Sequence, residues 1–364
     1  MVLLMVHFEC TASTGGTKVM AKKDGESIAN LATTIKLAKQ RALRYMSANI
    51  PCYIEGPPGV GKSEMAKQMA DELGIGFIDV RLAQLDPVDL RGLPSVINEK
   101  GTRITAWARP DMWPVEERDG KRGIMLLDEL GDCNKAMQSA SYQVILDRKA
   151  GPHEIPKGWY VMAAGNSQRH KAGAQAMSTA LANRFAHIEV EANHECWLEY
   201  GNKVGYHHFV MGFIKWRPAM LYTMEGADGK AFASPRTWAK VSLLCESPME
   251  EMFGLVSGLV GAGPASEFNG FLKTMDLPDF EEILANPKGC RIPKEPASKY
   301  ALSSMLARYA KRDNLDKIMQ YMKRENFGRD FEIASALDAS KRDCSLCETA
   351  AWVAFANRNQ DLAL

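Results

Sequence analysis

The segment Gly56-Pro57-Pro58-Gly59-Val60-Gly61-Lys62-Ser63 leaves this chain few ways to fold. It fits G-x-x-x-x-G-K-[ST] and lies between a short apolar run, Cys52 to Ile54, and a helical pattern whose apolar face is Met65, Ala66, Met69, Ala70 and Leu73. A strand that enters a Gly-rich loop and leaves it as a helix is the context that gives the pattern chemical meaning. Such a loop curls so that its N–H groups converge, and a Cβ at Gly59 or Gly61 would obstruct an approaching phosphate oxygen. The helix N-terminus adds the positive end of its dipole. The expected cradle comprises Gly56, Pro57, Pro58, Gly59, Val60, Gly61, Lys62, Ser63 and Glu64. Lys62 is expected to bridge the β- and γ-phosphates, and the Ser63 hydroxyl to coordinate Mg²⁺.

Around this loop, apolar runs alternate with helical patterns. Strands are expected at Cys52 to Ile54, Phe77 to Val80, Ile124 to Leu127, Trp159 to Ala164 and His187 to Glu191. Helices are expected from about Ser27 to Asn49, from Lys62 to Leu73 with Gly74 as the stop, and from about Lys135 to Leu146. Alternation of this kind gives an α/β fold, a parallel five-stranded sheet covered by helices on both faces. After Glu191 the strand signals cease and helical patterns run on. The expected layout is a flexible leader (1–26), a nucleotide-binding core (27–191), an all-helical lid (192–273) and a helical C-terminal extension (274–364), the last entered through the Pro- and Lys-rich stretch Asn286 to Lys299.

Ile124-Met125-Leu126-Leu127-Asp128-Glu129 is an apolar strand ending in two acids. Buried parallel strands present ligand-binding groups at their carboxyl ends. Asp128 is therefore expected in the magnesium shell, and Glu129 as the group that polarises an attacking water. The plain alternative is a solvated acidic strand exit. Other phosphate-loop classes fit poorly: Asn134-Lys135-Ala136-Met137 lacks the acid of the base-reading NKxD, and no LSGGQ segment is present.

The order of these motifs resembles the AAA+ superfamily and, within it, the MoxR branch of the group carrying an insert in helix 2. The likeness covers roughly residues 27 to 273 and implies a P-loop ATPase that uses ATP and Mg²⁺. By this resemblance, Asn166 after the strand Trp159 to Ala164 matches sensor 1, whose polar tip helps hold the lytic water, although an Asn there can also be a simple turn former. Arg184 in Leu181-Ala182-Asn183-Arg184-Phe185 matches the arginine finger that reaches across a subunit boundary. A planar, permanently charged fork suits that task; the alternative is an Arg paired within its own subunit. Ser234-Pro235-Arg236-Thr237 reads as an N-cap with Pro at the first helical position, and Arg236 matches sensor 2 in the lid. Asp86 to Pro94 matches the entry to the helix 2 insert, Ser95 to Trp107 reads as a hairpin turned at Glu99-Lys100-Gly101, and a second hairpin is expected near Arg148 to Gly158. In the family such loops face the ring axis or a partner.

Composition bounds the biology more loosely. With 45 basic against 44 acidic residues the net charge is +1, which gives no support to general nucleic-acid or membrane binding. No apolar stretch reaches the roughly 20 residues that cross a bilayer, no signal peptide is read at the start, and eight scattered cysteines suit a reducing, cytoplasmic setting. Cys344 and Cys347 form one CxxC without a second pair and read as helix neighbours. His207 and His208 read as non-ligands, and Gly261-Ala262-Gly263 as a helix boundary. The expected function is an ATP-hydrolysing ring, by resemblance a hexameric homo-oligomer, that remodels or matures a protein client, which the family suggests could carry a von Willebrand factor A fold. Two alternatives stay open at this point: a nucleic-acid-directed motor on the same core, and a nucleotide-gated scaffold with little turnover.

Overall fold

Strands buried on both faces explain the sheet. In Gly123–Asp128 the residues Ile124 and Leu126 point into one apolar cluster, while Met125 and Leu127 point into another on the opposite side. That near-continuous apolar run is what a central parallel strand requires. The computed structural model describes residues 32–167, 177–224 and 231–360. The expected leader and the first positions of the first helical pattern, Ile28 and Leu31, lie outside the described residues.

The core elements run α1 (Ile35–Ser47), β1 (Cys52–Gly56), α2 (Lys62–Leu73), β2 (Gly76–Arg81), α3 (Pro87–Arg91), β3 (Pro94–Glu99), β4 (Thr102–Trp107) and α4 (Glu116–Asp119). They continue with β5 (Gly123–Asp128), α5 (Lys135–Asp147), the two-residue strands β6 (Lys149–Ala150) and β7 (His153–Glu154), β8 (Trp159–Asn166), α6 (Thr179–Ala182) and β9 (Ala186–Glu189). The parallel five-stranded sheet has the order β2-β5-β8-β1-β9. Strand β1 therefore sits between β8 and β9, and its carboxyl end meets that of β8 with Gly56 opposite Asn166. Helices α1 and α2 cover one face through Ala38, Ala42, Met65 and Met69; α5 covers the other through Met137, Val144 and Ile145.

Helix α2 occupies the expected span. Its flanking glycines, Gly61 (φ 99°) and Gly74 (φ 61°), are both left-handed, and the Gly74 N–H bonds back to Ala70 and Asp71, as a C-terminal αL cap does. Helix α1 begins later than the periodicity suggests. Thr33 is extended and pairs in parallel with Val190, donating its N–H to the Glu189 carbonyl at 2.8 Å. Thr34 then caps the helix by accepting from the Leu37 N–H. Sheet pairing thus claims residues that local spacing assigns to the helix.

Strands β3 and β4 form a separate antiparallel hairpin whose turn, Lys100 (φ 51°) and Gly101 (φ 85°), has both residues left-handed, the geometry that matches strand twist. The second hairpin, β6–β7, is reduced to two residues per strand.

The helical part comprises α7 (His194–Val204), α8 (His208–Trp216), α9 (Pro235–Ser242), α10 (Met249–Val260), α11 (Ala262–Lys273), α12 (Phe280–Ala285), α13 (Pro296–Tyr309), α14 (Leu315–Met322), α15 (Arg329–Arg342) and α16 (Ala350–Arg358). Helices α7 to α11 share an apolar cluster around Phe213, Trp238, Phe268 and Phe271, which also takes Ala297 and Ala301 from α13. The rest of α13 joins α14 to α16 around Tyr321, Phe327 and Phe355. One helix thus contributes to both cores. Gly261 separates α10 from α11. His207 caps α8 rather than lying within it, and Cys344 and Cys347 occupy a short 3₁₀ turn, not an α-helix. Among the described residues no helix is long and apolar enough to cross a membrane.

Candidate functional site

The carboxyl ends of β1, β5 and β8 converge, and the side chains they carry engage one another. The Lys62 ammonium, buried under the loop, donates to the carbonyl oxygens of Gly56 and Pro57, each at 3.0 Å, and to Asn166 Oδ1 at 3.1 Å. Its three protons are matched by three acceptors. Burial lowers its pKa to about 8, opposed mainly by the charge of Asp128. The Ser63 hydroxyl donates to Asp128 Oδ2, and Asp128 Oδ1 accepts from the Glu129 N–H at 2.9 Å. The Gly-rich loop and the acidic strand tip are therefore joined directly.

The loop tolerates little added bulk. A Cβ on Gly56 would collide with the Val190 carbonyl oxygen, and one on Gly59 would lie 2.8 Å from Ser234 Oγ. Gly59 also has φ +80°, a conformation costly for any side-chain-bearing residue. The same glycine brings in the helical part, because the Arg236 N–H donates to the Gly59 carbonyl at 3.2 Å. Ser234 is the N-cap of α9, with Pro235 in the first turn and Thr237 completing a capping box. Arg236 thus stands, exposed, at the start of a helix anchored on the loop.

Glu129 follows β5 with φ 60°, a left-handed conformation rare outside glycine. It turns the chain so that the N–H groups of Asp132 and Cys133 both bond to its carbonyl, at 3.0 and 3.2 Å. Its carboxyl pKa is raised by burial and then by the neighbouring charge of Asp128. That shift moves a carboxylate toward the range useful to a general base. Asn166, the last residue of β8, donates through Nδ2 to Asp132 Oδ2 at 2.8 Å.

Arg184, one residue before the buried Phe185, lies with its guanidinium carbon 4.8 Å from the centre of the Tyr142 ring on α5. Among the described residues no ion pair to it is found, and the partner it has, the Tyr142 ring, belongs to its own chain. Among the described residues no hydrogen bond or ion pair joins it to the Lys62 cluster. Glu64 points outward and accepts from the Tyr200 hydroxyl at 3.2 Å, which ties α2 to α7. Pro57, Pro58 and Val60 complete the loop, Val60 with its side chain in the core beneath α2.

The oxygen donors Ser63 and Asp128 suit magnesium, which takes one or two carboxylates plus phosphate oxygens rather than an all-protein cage. No cluster of three or more His, Cys, Asp or Glu able to hold a metal occurs among the described residues. Sequence reasoning missed Asp132 and Tyr142 as contributors to this region, and read Ser234 only as a helix cap and not as a neighbour of Gly59. Only the spacing of Asp132 from Glu129, three residues on, offered a signal, and it has no meaning until the turn at Glu129 is known.

Residues 52–190 match the family described as "ATPase family associated with various cellular activities (AAA)". Among solved structures, the RuvB Holliday junction branch migration motor of Thermotoga maritima is similar at 17% identity, over 72% of this chain and 78% of that one, with a TM-score of 0.35. NtrX of Brucella abortus, in complex with ADP, is similar at 14% identity over 94% of this chain and 70% of that one, with a TM-score of 0.34. These likenesses are distant and add nothing to the site's geometry. The stretch 52–190 that matches this family contains the Gly-rich loop, the acid-tipped β5 and all five strands of the parallel sheet.

Proposed function

We propose that this protein binds and hydrolyses ATP as a ring-forming AAA+ ATPase and uses the cycle to remodel or mature a partner protein, in the manner of the MoxR branch. The observation that carries the reading is the junction of Lys62 and Ser63 with Asn166 and Asp128, residues from three separate segments brought to one strand-tip crevice. In this reading Lys62 exchanges its carbonyl partners for phosphate oxygens, and Ser63 and Asp128 hold Mg²⁺. The bound ion would draw charge from the phosphate oxygens and help orient them. Glu129 takes a proton from the attacking water, and Asn166 holds that water near the terminal phosphate.

Arg236 supports a lid role because its helix rests on Gly59 by a backbone hydrogen bond, so occupancy of the loop is felt by the helical part. A role of Arg184 in trans is supported by its engagement with an aromatic face and, among the described residues, with no carboxylate. An arginine that acts on a neighbour's nucleotide makes assembly a condition of activity, which favours a homo-oligomeric ring, in this branch a hexamer. The client-facing element is the β3–β4 hairpin, which leaves Val96, Ile97, Ile104 and Trp107 exposed. A partner with a von Willebrand factor A fold is part of the same proposal.

The test is ATP turnover measured against protein concentration, with and without DNA. A steep rise with concentration, indifference to DNA, and loss of activity in Arg184→Ala with retained ATP binding support the reading. Turnover per subunit that is independent of concentration, with Arg184→Ala unaffected, would remove the trans-acting ring; strong stimulation by DNA would replace the protein client with nucleic acid.

A further inference from the structure

We infer that Asp132 is a positioning residue which fixes the amide of Asn166 so that its oxygen, and not its NH₂ group, faces Lys62. The inference rests on the reading of Asn166 given above. A side-chain amide has two orientations related by a half-turn, one offering an acceptor and the other a donor in the same place. Here the neighbours choose. The Lys62 ammonium, 3.1 Å from Oδ1, has only protons to give, and the Asp132 carboxylate, 2.8 Å from Nδ2, has only lone pairs. Turning the amide over would set NH₂ against ammonium and oxygen against carboxylate, losing two charge-assisted hydrogen bonds at once.

The fold gives Asp132 little other reason to be there. The start of α5 is capped by Asn134, which accepts from the Met137 N–H at 2.9 Å, so Asp132 is not needed as a helix cap. Its other oxygen, Oδ1, is buried and has no hydrogen-bond partner among the described residues, an arrangement that costs stability unless it serves something else. The carboxylate is held in register with Asn166 from both sides. The turn begun by Glu129 bonds the Asp132 N–H at 3.0 Å, and the Leu130 N–H is tied to the Ala164 carbonyl of β8 at 3.0 Å. β8 is fixed in turn by Gly165, where a Cβ would collide with the Tyr53 hydroxyl.

The consequence is chemical. With one Nδ2 proton given to Asp132, the oxygen of Asn166 is kept toward the phosphate loop, where it can hold a water through its proton but cannot itself donate to a phosphate oxygen. Asp132 thus decides which of the two partners Asn166 serves.

Exchanging the two side chains tests this. Asn166→Asp sets two carboxylates against each other, and should lower both kcat for ATP and the folding equilibrium constant by roughly tenfold or more. Asp132→Asn alone should be milder, since a neutral amide oxygen still accepts from Asn166. The double variant Asp132→Asn/Asn166→Asp restores one donor and one acceptor with the oxygen still on Lys62. It should recover most of the stability lost in Asn166→Asp and at least about threefold of kcat, with ATP affinity measured separately. Additive losses in the double variant, in stability and in kcat, would overturn the inference. A wild-type protein without ATP turnover would defeat the proposed function instead, and the stability cycle would still decide the role of Asp132.

Discussion

At the tips of β1, β5 and β8, the side chains of Lys62, Asp128 and Asn166 are each held by at least two neighbours, whereas along β3 and β4 every residue except Ala106 is exposed. The two regions lie in the same domain and are fixed by different physics. The crevice is over-determined, because burial makes each unpaired polar atom costly and each charge demand a partner. The hairpin is held by backbone register, by its Lys100-Gly101 turn, and by its base. At that base Gly92, at φ +83°, admits the Ala108 carbonyl where any Cβ would collide, and the Ala108 N–H closes onto Leu93 at 2.9 Å. Below it Trp113 is fully buried and donates to the Leu90 carbonyl at 2.9 Å. An isolated two-stranded hairpin is marginal in water, so the anchor at Trp113 matters more than the strands it supports.

The contrast can be broken or sharpened by four variants. The largest effect is expected from Trp113→Ala, which should destabilise the protein by about 3–5 kcal/mol through the cavity and the orphaned Leu90 carbonyl, read as a lower urea midpoint. A loss under about 1 kcal/mol would mean that the insert is not anchored there. Glu129→Gln should slow ATP turnover by at least about 10²-fold while retaining bound nucleotide, as expected when a general base is removed. Undiminished single-turnover hydrolysis would end its assignment. Arg184 lies half-buried on an aromatic face. Tyr142→Leu should release it at a cost of about 0.5–1 kcal/mol, the worth of a partly exposed cation–π contact. Its signature is turnover lowered about two- to fivefold at saturating ATP, with ATP affinity unchanged and activity recovered on mixing with Glu129→Gln subunits, which still donate an intact Arg184. Smallest of all, Val96→Ser with Ile104→Ser should change stability by less than about 0.5 kcal/mol and leave basal turnover alone. A large loss of stability there would show that the hairpin is covered in the native assembly.

Much of the crevice was legible in the sequence because its parts are local. The phosphate loop, the span of α2 and the acid pair after β5 are written in contiguous residues, as is the hairpin turn. The partnerships are not. Lys62 and Asn166 lie 104 residues apart, and Asn166 and Asp132 lie 34 apart. Spacing cannot join them, since each is recognised only when β1, β5 and β8 stand side by side. The late start of α1 has the same origin: its periodicity was sound as a local signal, and it lost to a pairing of Thr33 with the far end of β9.

By itself the sequence determined which segments become strand, loop and helix in the core, and where groups able to handle phosphate would emerge. Those outcomes follow from apolar periodicity and from glycines that reach φ values other residues avoid. Only the tertiary structure decided the order of the strands, the seating of α9 on Gly59, the ring beneath Arg184 and the orientation of the Asn166 amide. Each of these depends on a neighbour distant in the chain, and a hydrogen bond or a buried charge gains its strength from the dry surroundings that packing alone creates.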